Sequence, residues 1–263
     1  MNDLQTLMRH RQLIAALTAR DLKARYRGSI LGFFWSLANP LLLLAVYTFV
    51  FTVFFKQTAV TPYPLFLFSG ILAWTFFSAA VLESTGSISS NAGLIKKVMF
   101  PAEALPLVVV LSHLVHFVAA LPILLAAMAM FAVLGKFTMS WTILLVPILM
   151  IFQALFVAGI SLIVSSASVL FRDLRDIVTN VLQLGFFMTP ILYLLDSIQS
   201  RPIRALLRIN PMTPFVVAYQ DLFFFGRLPN LSDSILIVFY AVASVTLGMV
   251  VFDRLRDTLA EAI

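Results

Sequence analysis

Six long stretches of the chain contain no Asp, Glu, Lys or Arg: Gly28–Phe55, Gln57–Leu82, Ala104–Gly135, Phe137–Phe171, Ile177–Leu195 and Ser234–Phe252. Each is 19 residues or longer. A helix needs about 20 residues to cross a hydrocarbon core of about 30 Å. None of the stretches shows the short alternating segments of a membrane β-barrel. Backbone in lipid must satisfy its own hydrogen bonds, so such runs predict helices. The pattern predicts an all-α membrane protein with six transmembrane helices, over 30–56, 64–84, 104–135, 139–170, 177–195 and 234–252.

Two regions break this pattern. In residues 1–29, Leu13, Ile14 and Leu17 cluster among charges, which predicts a cytoplasmic interfacial helix, although Asp21 interrupts its apolar stripe. Residues 196–233 are too long for a turn. There Ile209–Gln220 and Leu222–Gly226 are largely apolar and Pro202, Pro211, Pro214 and Pro229 punctuate them. A re-entrant periplasmic or extracellular segment between helices 5 and 6 fits this pattern. Irregular backbone survives at membrane depth only when protein shields it or it lines a cavity. No internal repeat is present, so an inverted-repeat transporter finds no support.

Composition agrees with the pattern. The chain is 61% hydrophobic and 11% charged, with mean hydropathy +1.01. A soluble domain is about half apolar and about a quarter charged. With no cysteine, disulfides, thiolate catalysis and cysteine-ligated metals are excluded. The net charge of +6 fits basic cytoplasmic loops facing anionic lipid and not nucleic acid. With six spans, twelve Lys and Arg fall on the side of the termini and six on the other. Both termini are therefore expected in the cytoplasm, in a multi-pass protein of the cytoplasmic (inner) membrane. The N-terminus does not read as a cleaved signal peptide, because a long polar stretch precedes its first apolar run.

Several local patterns, spread in order along the chain, resemble one family. Arg20-Asp21-Leu22-Lys23-Ala24-Arg25-Tyr26-Arg27-Gly28-Ser29 leads into Leu31-Gly32-Phe33-Phe34-Trp35-Ser36 and Asn39-Pro40. Leu94-Ile95-Lys96-Lys97-Val98-Met99-Phe100-Pro101 is followed by Leu105-Pro106. Then come Phe171-Arg172-Asp173-Leu174 with Asp176-Ile177, Thr189-Pro190, and Asn210-Pro211 with Pro214. Together they resemble the permeases of ABC-2 type polysaccharide exporters, a family that exports O-antigen, capsule and teichoic acid chains. The resemblance implies a homodimer with a central channel, bound to two copies of a separate ATPase subunit. ATP and Mg are then expected in that partner, with no cofactor in this chain. The residues agree: no G-x-x-x-x-G-K-[ST] phosphate loop is present, and the only Gly-Lys pair, Gly135-Lys136, has Met130 where the first glycine is needed.

Residue roles follow from the resemblance as expectations. Segment 86–101 is expected to be a coupling helix that docks into the ATPase through Leu94, Ile95, Lys96, Lys97, Phe100 and Pro101. Its blander reading is a basic loop that obeys the positive-inside bias. In the family the first and fifth spans line the path, which selects Phe33, Phe34, Trp35, Tyr47, Phe51, Phe186, Phe187 and Tyr193 as channel-lining candidates. Aromatic rings stack on the C–H faces of sugars without demanding one linkage. They are also common at membrane interfaces and in helix packing, and Trp35 is the clearest interfacial candidate. Arg20, Arg25 and Arg27 are candidates for lipid phosphate contact, since Arg binds phosphate bidentately. Residues 196–233 are expected to gate the outer side.

Other chemistry is sparse. His113 and His116 share one face of the third span. With no acidic residue in that span, interhelical hydrogen bonding is the expected use. Glu83 is expected to reach the cytoplasmic interface. Phe171-Arg172-Asp173 and Asp176 read as an interfacial ion-pair network or a hinge. The reading is a non-catalytic permease for a polyprenyl-linked polysaccharide. The competing readings are an ABC-2 permease for a drug or lipid, and a membrane-embedded transferase acting on polyprenyl lipids. The last needs positioned acids or bases, and here they lie at span ends and in loops.

Overall fold

The computed structural model describes residues 11–28, 32–54, 60–91, 93, 101–171 and 173–262. Among the described residues every regular element is helical. In order these are α1 (Arg11–Tyr26), α2 (Trp35–Phe49, continued by a π-turn over Val50–Phe54), α3 (Tyr63–Ser87), α4 (Ala104–Val133), α5 (Val146–Leu170), α6 (Leu174–Met188), α7 (Arg201–Ile209), α8 (Met212–Gln220, continued by a π-turn over Asp221–Phe225) and α9 (Leu231–Ala262).

Four of these segments are long and apolar enough to cross a membrane: Tyr63–Ser87, Ala104–Val133, Trp141–Leu170 and Leu231–Arg256. The first and fifth uncharged runs fold into shorter pieces. α2 contains Pro40 and closes in its π-turn. α6 has 15 residues and stops at Thr189-Pro190, short of the expected end at Leu195. Proline lacks the N–H that would bond the carbonyl one turn back. The Thr189 N–H instead donates to the Phe186 carbonyl at 3.3 Å. The Thr189 hydroxyl then satisfies the Gly185 carbonyl at 2.7 Å. The break is thus built into the dipeptide.

α3 is the centre of the bundle: 78% of its most apolar window is buried, against 28% for α9. α8 also lies in the core, with Met212, Phe215, Val216, Ala218 and Tyr219 fully buried. Phe215 stacks on Phe156 of α5 at 5.2 Å, and Tyr219 meets Phe117 of α4 edge-on at 5.6 Å. Asn210 begins α8 by accepting from the Met212 N–H at 3.0 Å, an Asx-type turn. The same side chain donates to the Thr189 hydroxyl at 2.8 Å. Gln220 donates to the Pro190 carbonyl at 2.8 Å, and the Tyr63 hydroxyl to the Leu192 carbonyl at 3.0 Å. The Thr-Pro and Asn-Pro dipeptides, 21 residues apart, are therefore one junction.

α5 and α9 meet backbone to backbone. A Cβ on Gly159 would lie 2.2 Å from the Ser244 carbonyl, and one on Gly248 would lie 2.5 Å from the Gly159 oxygen. Ser244 and Gly248 are four residues apart, the small-xxx-small spacing that lets membrane helices approach closely.

The bundle has two distinct ends. At one end α1 packs Ile14 and Leu17 onto Ala104, Leu105 and Val108 of α4. There Arg256 pairs with the buried Glu103 at 3.1 Å, and Ser168 of α5 bonds the Thr85 carbonyl of α3. At the other end Thr142 donates to the Leu222 carbonyl at 2.8 Å. Asp221 holds Arg227 there at 2.7 Å, across Gly226 in the left-handed conformation at φ +62°. Burial pushes the Asp221 carboxyl above its ordinary range, against the pull of Arg227. α1 and the C-terminal turns of α9, around Arg256, therefore share one end of the bundle.

Candidate translocation cleft

α2 and α6 pack against the central α3 through side chains and leave a cavity of about 370 Å³ between the three helices. Tyr47 of α2 stacks on Phe186 of α6 at 5.7 Å and 23°. Phe186 meets Trp74 of α3 edge-on at 6.0 Å and Phe187 at 5.3 Å. Trp74 reaches this position because residue 185 is glycine: a Cβ there would sit 3.0 Å from the indole Cη2. The polar lining comes from Thr75 and Ser78 of α3 and Thr179 and Gln183 of α6. Among the described residues no charged side chain lines the cavity.

The candidate channel aromatics separate by place. Tyr47, Phe186 and Phe187 line this cavity. Phe51 lies further along α2, against Tyr63 at 5.8 Å. Tyr193 is held past the end of α6, its hydroxyl donating to the Phe187 carbonyl at 3.0 Å. Phe34 is exposed at the start of α2. The side chains of Phe33 and Trp35 lie outside the described residues, as do Leu94, Ile95, Lys96, Lys97, Phe100 and Arg172. Pro101 is described, and its carbonyl accepts the Ala104 N–H at 3.0 Å in the first turn of α4.

Outward from the cleft, α2 and α6 show matching faces. Leu42, Val46, Phe49 and Val53 are exposed on α2, and Ile177, Val181, Leu184 and Met188 on α6. Each set is spaced i, i+4, i+7, i+11, a single helical stripe.

A second constellation lies at the α1 end. Arg25 Nη2 donates to Asp21 at 3.2 Å and to Glu83 of α3. The other Glu83 oxygen is 2.7 Å from His113 Nε2 on α4, and the His113 and His116 rings lie 5.6 Å apart. Glu83 therefore joins three helices. For His113 this is the interhelical bond expected of the pair, with the carboxylate supplied by the neighbouring helix. It also explains Asp21, which interrupts the apolar stripe of α1 in order to pair with Arg25 one turn on. The Arg25 guanidinium is engaged by two carboxylates, whereas Arg20 and Arg27 are exposed. Among the described residues no group of three or more His, Asp and Glu could hold a metal ion.

Sequence reasoning passed over Trp74, Ser78, Gln183 and Gly185. Trp74 and Gln183 had a readable signal, because each sits mid-run, where neither a membrane interface nor a span end accounts for it. The closeness of Gly185 to the indole has no signal in the sequence.

The fold and cleft define a polytopic α-helical membrane protein. The sequence profile described as ABC-2 type transporter matches residues 12–224, and the chain belongs to that family. It is 38% identical over 258 residues to the O-antigen export system permease protein RfbA of Myxococcus xanthus, covering 98% of this chain and 97% of that one. Two proteins of the same description from Klebsiella pneumoniae are 33% and 32% identical over 249 residues, covering 95% of this chain and 94% of theirs.

Proposed function

We propose that this chain is the permease subunit of an ATP-driven exporter that moves a polyprenyl-linked polysaccharide, of O-antigen, capsule or teichoic acid type, across the cytoplasmic membrane. The observation that carries this is similarity over nearly the whole chain to permeases described as O-antigen exporters. The uncharged, ring-walled cleft between α2, α3 and α6 supports it, since a polymer must slide past without being held by ions.

In this reading two copies pair around a channel, with α2 and α6 of each facing it. The matching apolar stripes on these helices are the surfaces available to the second copy. Two ATPase subunits dock on the cytoplasmic end, where α1, the start of α4 and the end of α9 lie. Lys96, Lys97 and Phe100 provide the contact, with Leu94 and Ile95 beside them. Pro101 passes its displacement directly into α4, because the first α4 hydrogen bond starts from its carbonyl. Arg20 and Arg27 face lipid or carrier phosphate, while Arg25 anchors α1. Residues 196–233 close the outer side as a re-entrant gate, whose short helix α8 is shielded by the core as membrane depth requires. Nucleotide binding then drives the cleft from a distance, which requires a two-state element shared by both sites.

The test is deletion of the gene followed by analysis of surface and intracellular polymer. The expected result is loss of one glycan from the surface and its accumulation inside on a polyprenyl carrier. An unchanged surface would refute the reading. Charge reversal at Lys96 and Lys97 should abolish co-purification with the ATPase, and retained association would remove the coupling role.

A further inference from the structure

We infer that the cavity between α2, α3 and α6 is a pocket for one uncharged sugar ring of the passing polymer, complete within each protomer and read by Trp74, Ser78 and Gln183. The inference rests on the exporter reading and adds to it a specificity site on the central helix α3, behind the ring-lined path.

Size and chemistry choose the occupant. The cavity, about 370 Å³, lies in the range of about 300–1,000 Å³ typical of small-ligand pockets. Its walls are ring faces and edges: Tyr47 stacked on Phe186, with Trp74 set across them. The negative face of an aromatic ring attracts polarised hydrogens, and a pyranose presents such C–H bonds on its flat side. The polar groups suit hydroxyls. Thr75 donates its own hydrogen to the Ile71 carbonyl, and Ser78 points its own at the Thr75 carbonyl. Their oxygens are left to accept. Gln183, exposed at the mouth, offers both donors and an acceptor. With no charge among the described lining residues, a uronic acid or phosphate would enter without a partner from them, at a desolvation cost.

A second cavity supplies the contrast. A groove of about 590 Å³ on α4 and α5, lined by residues such as Leu111, Leu114, Val118, Met150, Ile151 and Leu155, has no polar side chain among its described lining residues. That groove offers an acyl chain everything it needs. The α2–α3–α6 cavity spends part of its wall on hydroxyls and an amide that only a polar guest uses.

The test uses the assembled permease–ATPase complex with Trp35→Phe and Trp141→Phe, which leaves Trp74 as the only indole of this chain's three, and the same complex with Trp74→Phe as well gives the background of the ATPase. Methyl glycosides of glucose, galactose, mannose and rhamnose are titrated, with methyl glucuronide as the charged control and a bromine-labelled phospholipid as the apolar one. A saturable change in Trp74 fluorescence with at least one neutral glycoside is expected, with none from the glucuronide. Gln183→Ala and Ser78→Ala should each weaken that response about tenfold, the loss of one hydrogen bond. The inference is overturned if no neutral glycoside gives a saturable response. It is also overturned if the glucuronide matches the neutral glycosides, or if the brominated lipid quenches Trp74 and no sugar displaces it. In cells the two readings separate. If gene deletion traps the polymer inside but Gln183→Ala/Ser78→Ala exports it at the wild-type rate and composition, the pocket falls and the exporter stands. If deletion leaves the surface polymer intact, the exporter reading itself falls.

Discussion

The α5–α9 pair and the α2–α3–α6 group are held together in opposite ways. α5 and α9 touch through Gly159, Ser244 and Gly248, with no room for even one added carbon at either glycine. α2 and α6 touch α3 through stacked and edge-on rings, with a cavity left between. Lipid tails are as apolar as leucine, so helices in a membrane gain little from burial and much from close contact. A backbone seam has one geometry and loses most of its contact energy on small displacement. Rings that meet at 5–6 Å centroid distances tolerate tilt and offset. The glycine seam is therefore the fixed part of the molecule, and the ring-walled group is the part suited to rearrangement.

Breaking the seam should produce the largest effect. Leucine at Gly159 drives its Cβ into the Ser244 carbonyl, which is backbone and cannot swing aside. The expected destabilisation is about 4 kcal/mol or more, read as unfolding in mixed detergent micelles, with loss of the assembled complex. Gly248→Ala is the milder version, expected to cost about 2 kcal/mol by overpacking. If Gly159→Leu unfolds at the wild-type point, the seam is not rigid and the contrast fails.

The sequence exposed some of these features and hid others for physical reasons. Spans that stay long are legible, because an uncharged run of sufficient length has only one economical solution in lipid. The Thr189-Pro190 dipeptide was visible, but the fifth span was expected to run through it to Leu195; neither the stop nor its partner Asn210 was legible, since the bond between them depends on how α8 returns through the core. Asp21 looked like a flaw in α1 until Glu83 and Arg25 were placed together. His113 lacked an acid within its own span, and its partner came from the next helix. Trp74 was passed over because an uncharged-run criterion treats every apolar residue alike, and only Gly185 reveals why an indole fits there. Periodicity reports which face is apolar. It does not report which two helices meet.

An intermediate effect is expected at Glu83, which ties α1 to α3 and α4 at the α1 end of the bundle. Glu83→Gln keeps the shape and removes the charge that faces Arg25 and His113. The expected loss is about 1–2 kcal/mol for a partly exposed charged bond, and it should be local. Proteolysis in the link between α1 and α2 should accelerate while the glycine seam stays protected from hydrogen exchange. Equal loosening at both places would mean that the hub and the seam form one unit, and the division into fixed and adjustable parts would need redrawing.

The smallest change in stability, with the most information, is expected at Phe187. Its ring is 58% exposed at the mouth of the cleft, so truncation removes little packing. Phe187→Ala should shift stability by no more than about 0.5 kcal/mol, as surface substitutions do. Export should nonetheless fall several-fold if the polymer takes the proposed path, which passes the ring at the cavity lining. Phe186→Ala sharpens the point. That ring is partly buried and joins Tyr47, Trp74 and Phe187, so its loss should lower both stability and export. A pair of variants that differ in stability but share an export defect would assign the cleft to transport and not to the scaffold. If Phe187→Ala exports at the wild-type rate while Phe186→Ala fails in both measures, the rings are packing material, and the two halves of the molecule differ in tightness alone.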